Sequence, residues 1–232
     1  MKRVAILQSS YIPWRGYFDL VASVDEFVFY DDAQYTTRDW RNRNRIKTPQ
    51  GALWLTIPVG NSVHRKIRDV AITDPRAGQA HWQRLHANYG RAACYGEVAE
   101  WLQALYCEHE WSSLSAINER FVHAICNQLG ITTCLSRSSD YMLVPGRTER
   151  LVSICKQAGA STYLSGPSAR AYLDVAAFDR AHIDVSWFEY PIYPEHPQLW
   201  GTFVDKLSIL DLLFNCGSRA PRYMKPVRLG TP

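Results

Sequence analysis

Apolar residues recur along this chain with two periods. Val4-Ala5-Ile6-Leu7 is a short unbroken apolar run, and Val4–Gln8 reads as a buried strand. Phe27–Asp31 reads as a second strand, and Tyr17–Val24 between them as a short helix. Strand, helix and strand in this order predict a parallel βαβ unit. Its carboxyl edge would hold Gln8–Ser10 and Asp31–Gln34, and open parallel sheets bind ligands at that edge. Leu53, Leu55, Ile57 and Val59 alternate with Trp54, Thr56 and Pro58, the pattern of a half-buried strand. Pro58 has no amide donor, so this strand belongs at an edge or ends there.

Helical spacing then takes over, across a middle region of about 76–130. Leu114, Ile117, Phe121, Ile125 and Leu129 share one helical face, and Gly130 is placed to end that helix. Leu151, Ile154, Cys155 and Ala158 repeat the pattern up to Gly159. Ser161–Ser165 and Ile183–Glu189 read as strands flanking a helical stretch near Ser168–Phe178. Ser208 and Asp211 have the spacing of a capping box, opening a last short helix that ends near Gly217. Beyond it, 218–232 is expected to be an extended tail. The expected fold is α/β: one domain over 1–217, with a mostly parallel sheet flanked by helices and a helical insertion in the middle.

The length of 232 residues is enough for one such core. No apolar run approaches the roughly 18 residues of a membrane span. The run after Lys2-Arg3 is shorter than the core of about 7–15 residues in a signal peptide, so a cytoplasmic protein is expected. Six cysteines without a C-x-x-C pair read as reduced, structural thiols.

Charge singles out one segment. Arg38, Arg41, Arg43, Arg45 and Lys47 face only Asp39 within Arg38–Lys47, whereas the rest of the chain holds 21 bases and 21 acids. In an extended segment Arg41, Arg43, Arg45 and Lys47 share one side, with Asn42, Asn44 and Ile46 on the other. Guanidinium forks match phosphate and carboxylate geometry, so the ladder suits an anionic or nucleotide-linked substrate. Trp40 beside arginines also fits single-stranded nucleic acid, the less favoured partner.

The loop Gln8–Asp19 is shaped by Pro13 and Gly16. Gln8, Tyr11 and Arg15 offer directed hydrogen bonds, and Trp14 and Tyr17 offer stacking surfaces. Asp31 and Asp32 end an apolar strand, where adjacent carboxylates can provide a general base or, the less favoured role, bind a divalent cation through oxygen ligands. Successive strand residues point to opposite faces, so both reach one ligand only if the chain turns there. Gln34 follows on the same edge. Ser165 and Gly166 form a turn that presents amides to an anion. His196, in a proline-rich loop, is a second acid–base candidate. Glycine-rich phosphate loops, serine-hydrolase elbows and zinc clusters are absent from the sequence, so it assigns no metal and names no cofactor.

Taken together, Gln8–Phe18, Phe27–Tyr35, Trp40–Ile46, Trp54–Val59, Thr148–Leu151, Tyr163–Gly166 and Leu207–Asn215 resemble the WbqC-like protein family. Ser9-Ser10 stands where the family has proline or asparagine. The resemblance implies a role in bacterial surface-polysaccharide biosynthesis of the O-antigen type. The resulting expectation is a transferase that moves an acyl or aminoacyl group to an amino sugar or nucleotide-linked sugar. Tyr11–Gly16 is also loosely similar to nucleotidyltransferase loops of the His-Ile-Gly-His type, without the histidines, which keeps an adenylate-forming ligase as an alternative. A non-catalytic module for anions, nucleic acid or polysaccharide is the other.

Overall fold

The computed structural model describes residues 1–61, 64–108 and 110–225. In chain order the elements are β1 (Arg3–Leu7), α1 (Arg15–Val21), β2 (Glu26–Phe29), β3 (Arg43–Thr48) and β4 (Gly51–Thr56). Three helices follow: α2 (Ala77–Tyr89), α3 (Tyr95–Cys107) and α4 (Leu114–Leu129). The chain continues through β5 (Cys134–Arg137), α5 (Arg147–Gln157), β6 (Thr162–Ser165), α6 (Val175–Asp179), β7 (Asp184–Trp187) and α7 (Ile209–Cys216).

Five strands make one sheet in the order β5-β2-β1-β6-β7, with every neighbouring pair parallel. The expected α/β fold is what forms. Alternation along the strands divides two apolar layers. Ala5, Phe27, Phe29 and Leu164 face the larger layer, with Phe18, Leu85, Leu102, Phe121 and Phe214 from the helices. Val4, Ile6, Val28 and Tyr163 face the other, against Leu151, Ile154, Cys155 and Phe178. Burial on both faces explains why β1 and β2 read as continuous apolar runs. Each fully buried Val, Ile, Leu or Phe among them contributes about 1.5–3 kcal/mol on leaving water.

The chain moves outward from β1 to β2 and β5, then returns to the other side of β1 as β6 and β7. The winding therefore reverses between β1 and β6, the position at which sheets of this kind commonly hold ligands. β3 and β4 form a separate antiparallel hairpin, with Arg45 opposite Trp54, and do not extend the main sheet.

Helix ends follow local chemistry. Ser113 caps α4 by accepting from the Ala116 amide, and Gly130 ends it with a left-handed φ of 68°. The single helical stretch expected near Ser168–Phe178 is instead two pieces, a 3-10 turn at Pro167–Ala171 and α6. Asp174 separates them by capping α6 through the Ala177 amide. Ser208 caps α7 through Leu210, but Asp211 does not complete a capping box; its side chain turns toward Tyr89, His196 and Gln198. The extended tail expected from Ser218 is corrected over its first part. Gly217–Tyr223 is a 3-10 helix, because Ala220 is buried and Arg15 holds the Tyr223 carbonyl. Residues 226–232 of that tail lie outside the described residues. β5 escapes a pattern reading because Cys134–Arg137 is short and only partly buried. All six cysteines are free. Among the described residues no helix is long and apolar enough to cross a membrane.

Candidate functional site at the carboxyl edge of the sheet

Directly after β2 the chain turns: Tyr30 donates to the Leu7 carbonyl (2.7 Å) and Ala33 to that of Tyr30 (3.3 Å). The turn overrides strand alternation, and Asp31 and Asp32 both line a cavity of about 180 Å3 with Phe29, Arg68, Ser115, Glu119 and Arg137. Asp31 accepts from the Ser9 amide at 2.8 Å and from the Ser115 hydroxyl. Asp32 is held by Lys66 (3.0 Å), Arg68 (2.9 Å) and the Ser138 hydroxyl (2.9 Å). One turn along α4 from Ser115, Glu119 accepts from Arg137 Nε at 2.6 Å. Among the described residues Asp31 has no ion-pair partner, although it is only 4% exposed.

A polar network runs back from this cavity to the first loop. Asn118 of α4 donates to Ser9 Oγ (3.2 Å) and to the Arg41 carbonyl (2.8 Å), and Arg41 Nη1 donates to Gln8 Oε1 (2.8 Å). Asn118 Oδ1 and Arg41 Nε are buried without a hydrogen-bond partner among the described residues, Arg41 Nε lying 4.0 Å from the Asp39 carboxylate. Tyr17 donates to the Gln8 carbonyl at 3.3 Å. Burial pushes its phenol well above the ordinary value; Arg41 opposes the shift, while Asp31 and Glu119 add to it. These charges therefore converge on one region of the sheet edge.

The Gln8–Gly16 loop is held by backbone and amide contacts. Tyr11 donates to the Trp40 carbonyl (3.0 Å), and Asn44 Nδ2 binds the carbonyls of Tyr11 (3.2 Å) and Ile12 (2.9 Å). They keep Ile12 at φ 36°, a costly conformation for a β-branched residue. At Gly16 a Cβ would overlap the Trp14 ring.

The sequence-predicted residues divide accordingly. Gln8, Asp31, Asp32 and Arg41 meet along the network, and Gln34 bridges to Lys66 at its rim. Tyr11 is buried, with its hydroxyl against His81 (2.8 Å) and Tyr106 (3.0 Å). Trp14 packs on the rings of Tyr190 and Tyr193. Arg15 is bound by the carbonyls of Pro194 and Tyr223 and by Asp205. Ser165 and Gly166 end β6 on the same edge, and a Cβ at Gly166 would meet only open space.

The basic ladder is not one surface. Arg41 precedes β3 and turns to Gln8, whereas Lys47 is 2% exposed and bound by Gln198 (2.7 Å) and the Thr202 carbonyl (2.6 Å). Only Arg43 and Arg45 remain together, their guanidiniums 4.2 and 5.7 Å from the Trp54 ring centroid. Asn42 and Asn44 are buried and bind backbone carbonyls. His196 is placed apart from Asp31: its Nε2 lies 2.9 Å from Asp211, and its ring packs on Phe203 and Tyr223.

Arg68, Ser115, Asn118, Glu119, Arg137 and Ser138 were missed by the sequence reading. Ser115, Asn118 and Glu119 recur at helical spacing beside the apolar face of α4, a polar stripe that could have marked three of them. Arg68 and Arg137 carry no comparable sequence signal. Among the described residues no group of three His, Cys, Asp or Glu is disposed to hold a metal ion.

A doubly wound parallel sheet with a charged cavity at its carboxyl edge defines the class of α/β protein. The chain belongs to the WbqC-like protein family, whose model matches residues 8–223. It is 54% identical over 230 residues to the uncharacterized protein Rv1507c of Mycobacterium tuberculosis H37Rv, covering 98% of this chain and 100% of that relative. No solved structure matches it.

Proposed function

We propose that this protein is a transferase of bacterial surface-polysaccharide biosynthesis, of the O-antigen type. In this reading it works in the cytoplasm and moves an acyl or aminoacyl group to the amine of an amino sugar or nucleotide-linked sugar. The observation that carries the reading is Asp31, buried and yet lining an open cavity with no cation of its own. Ser9 and Ser115 orient its carboxylate and leave acceptor capacity for an incoming N–H. As the amine nitrogen bonds to the acyl carbon, its proton passes to Asp31 and the donor's leaving group departs with the bonding electrons. Arg68 and Arg137 are positioned to offset negative charge on the donor or at the attacked carbonyl.

Purified protein would be incubated with nucleoside-diphosphate amino sugars and acetyl-coenzyme A, or with ATP and amino acids. Mass spectrometry would then detect the acylated or aminoacylated sugar. Asp31→Asn is expected to lower turnover by about 10²–10⁴-fold with thermal unfolding preserved. Turnover at the parental rate in that variant would remove Asp31 as the base.

A second reading, an adenylate-forming ligase or nucleotidyltransferase, is favoured by the reversal of strand order beside β1 and the shaped Gln8–Gly16 loop that follows it. It predicts release of pyrophosphate from ATP, which the transferase with a preformed acyl donor does not.

A further inference from the structure

We infer that the Asp31 cavity binds a small zwitterion carrying one primary ammonium and one carboxylate. Such a unit is supplied either by a free amino acid or by an amino-sugar acid. The inference rests on reading this cavity as the substrate site and names the chemistry it selects.

Size is the first argument. An apolar cavity of about 150 Å3 accepts a benzene ring. The 180 Å3 here, in a partly open cavity, is therefore room for about one substituted six-membered ring. The volume matches a single sugar or amino-acid unit, and the open mouth leaves any larger attached group outside it.

Charge is the second. Asp32 is paired with Lys66 and Arg68, and Glu119 with Arg137. Asp31 accepts only from an amide and a hydroxyl. A buried carboxylate without a counterion is costly, and an ammonium supplies both the charge and up to three donors. Ser115, between Asp31 and Glu119, offers a further oxygen on the same wall.

The opposite requirement is met by arginine. Arg137 uses Nε for Glu119, and its terminal nitrogens have no partner among the described residues. Its side chain is 61% exposed. Arg68 binds Asp32 through Nη1 and Asp69 through Nε, leaving Nη2 without a partner among the described residues. A planar fork with two free N–H groups matches a carboxylate. In total charge Lys66, Arg68 and Arg137 equal the three cavity acids, although two of these cations share Asp32 and none pairs with Asp31. A zwitterion keeps that balance, whereas phosphate alone adds negative charge beside three carboxylates and a simple amine leaves the arginine forks empty.

Calorimetry and thermal shift on the full chain would compare L-alanine with 2-amino-2-deoxyglucuronic acid. N-acetylated and carboxamide forms of each, glucosamine and inorganic phosphate complete the panel. At least one zwitterion is expected to bind, and blocking either end should weaken it at least tenfold. The free amino acid and the sugar acid compete directly, so the tighter arm identifies the source. Asp31→Asn should erase the penalty for acetylating the amine, and Arg137→Gln the penalty for amidating the carboxylate. Arg43→Ala, outside the cavity, should change neither.

The inference is overturned if blocked forms or phosphate bind as well as the zwitterion, or if neither zwitterion binds. The blocked-ligand arm needs no variant, so a misfolded Asp31→Asn chain leaves the test decisive. Binding without any transfer would overturn the transferase reading alone; efficient transfer to neutral amino sugars without zwitterion preference would overturn only this inference.

Discussion

Asp31 and Asp211 are both buried acids that accept hydrogen bonds from distant parts of the chain, but they face different surroundings. Asp211 takes donors from Tyr89 (2.9 Å), His196 (2.9 Å) and Gln198 (2.7 Å), and Tyr89 in turn accepts from the Lys47 amide (2.8 Å). The adjoining space, also lined by Arg15 and Ser208, is about 10 Å3, room for roughly one water molecule. Asp31 takes one amide and one hydroxyl and opens on about 180 Å3. The same residue type thus ties the C-terminal loop to α7 in one place and faces a ligand-sized space in the other. His196 is an acid–base group by type; here its Nε2 is bound to Asp211, its ring packs on Phe203 and Tyr223, and its Nδ1 is buried without a hydrogen-bond partner among the described residues. Open volume beside a carboxylate, more than its partners, separates the two.

The largest effect that tests this contrast is Asp211→Ala. Leaving Tyr89, His196 and Gln198 without their shared acceptor should cost about 3–4 kcal/mol of unfolding free energy in urea titration. Turnover per folded molecule should stay near the parental value. Lost turnover with unchanged stability would exchange the roles of the two acids.

His81 provides the next test, as another closed cluster. It is 4% exposed, accepts from Tyr11 at Nδ1 and donates from Nε2 to the Thr56 carbonyl. Burial lowers its pKa from 6.5 to about 4. A depressed folded-state pKa means that the neutral form contributes stability above pH 6.5, and that this is lost as pH falls from 6.5 toward about 4. The loss should approach about 3 kcal/mol. Urea titrations across that window should show a shallower pH slope for His81→Gln than for the parent; parallel slopes would assign the acid sensitivity elsewhere.

The smallest effect belongs to the solvent-facing hairpin. Trp54→Ala removes the ring beneath Arg43 and Arg45 and beside Trp40. Exposed cation–π contacts are worth about 0.5–1 kcal/mol, so unfolding should shift by no more than that. A larger loss, or a large loss of turnover, would make this surface part of the working site.

Pattern alone found the parallel unit, since apolar runs the length of β1 and β2 must be buried on both faces. It also placed Asp31 and Asp32 at the strand end that becomes the cavity wall. It misjudged the arginine ladder for a physical reason. Alternation orders side chains only within a strand, and Arg41 lies before β3, while Lys47 is drawn to Gln198 and Thr202 more than 150 residues later. The cavity's own arginines, Arg68 and Arg137, enter from separate segments after the hairpin and in β5.

The sequence by itself determined the strand and helix periods, the α/β class and the place of Asp31 and Asp32 at the end of an apolar strand, because these depend on neighbours a few residues apart; that the chain turns directly after Phe29 is seen only in the structure. Only the tertiary structure decided which charges share a space. Asp31 is unpaired by a cation because Lys66 and Arg68 reach Asp32 and Arg137 reaches Glu119. His196 is closed off because α7 brings Asp211 against it. Those outcomes depend on packing between remote segments, which no local pattern encodes.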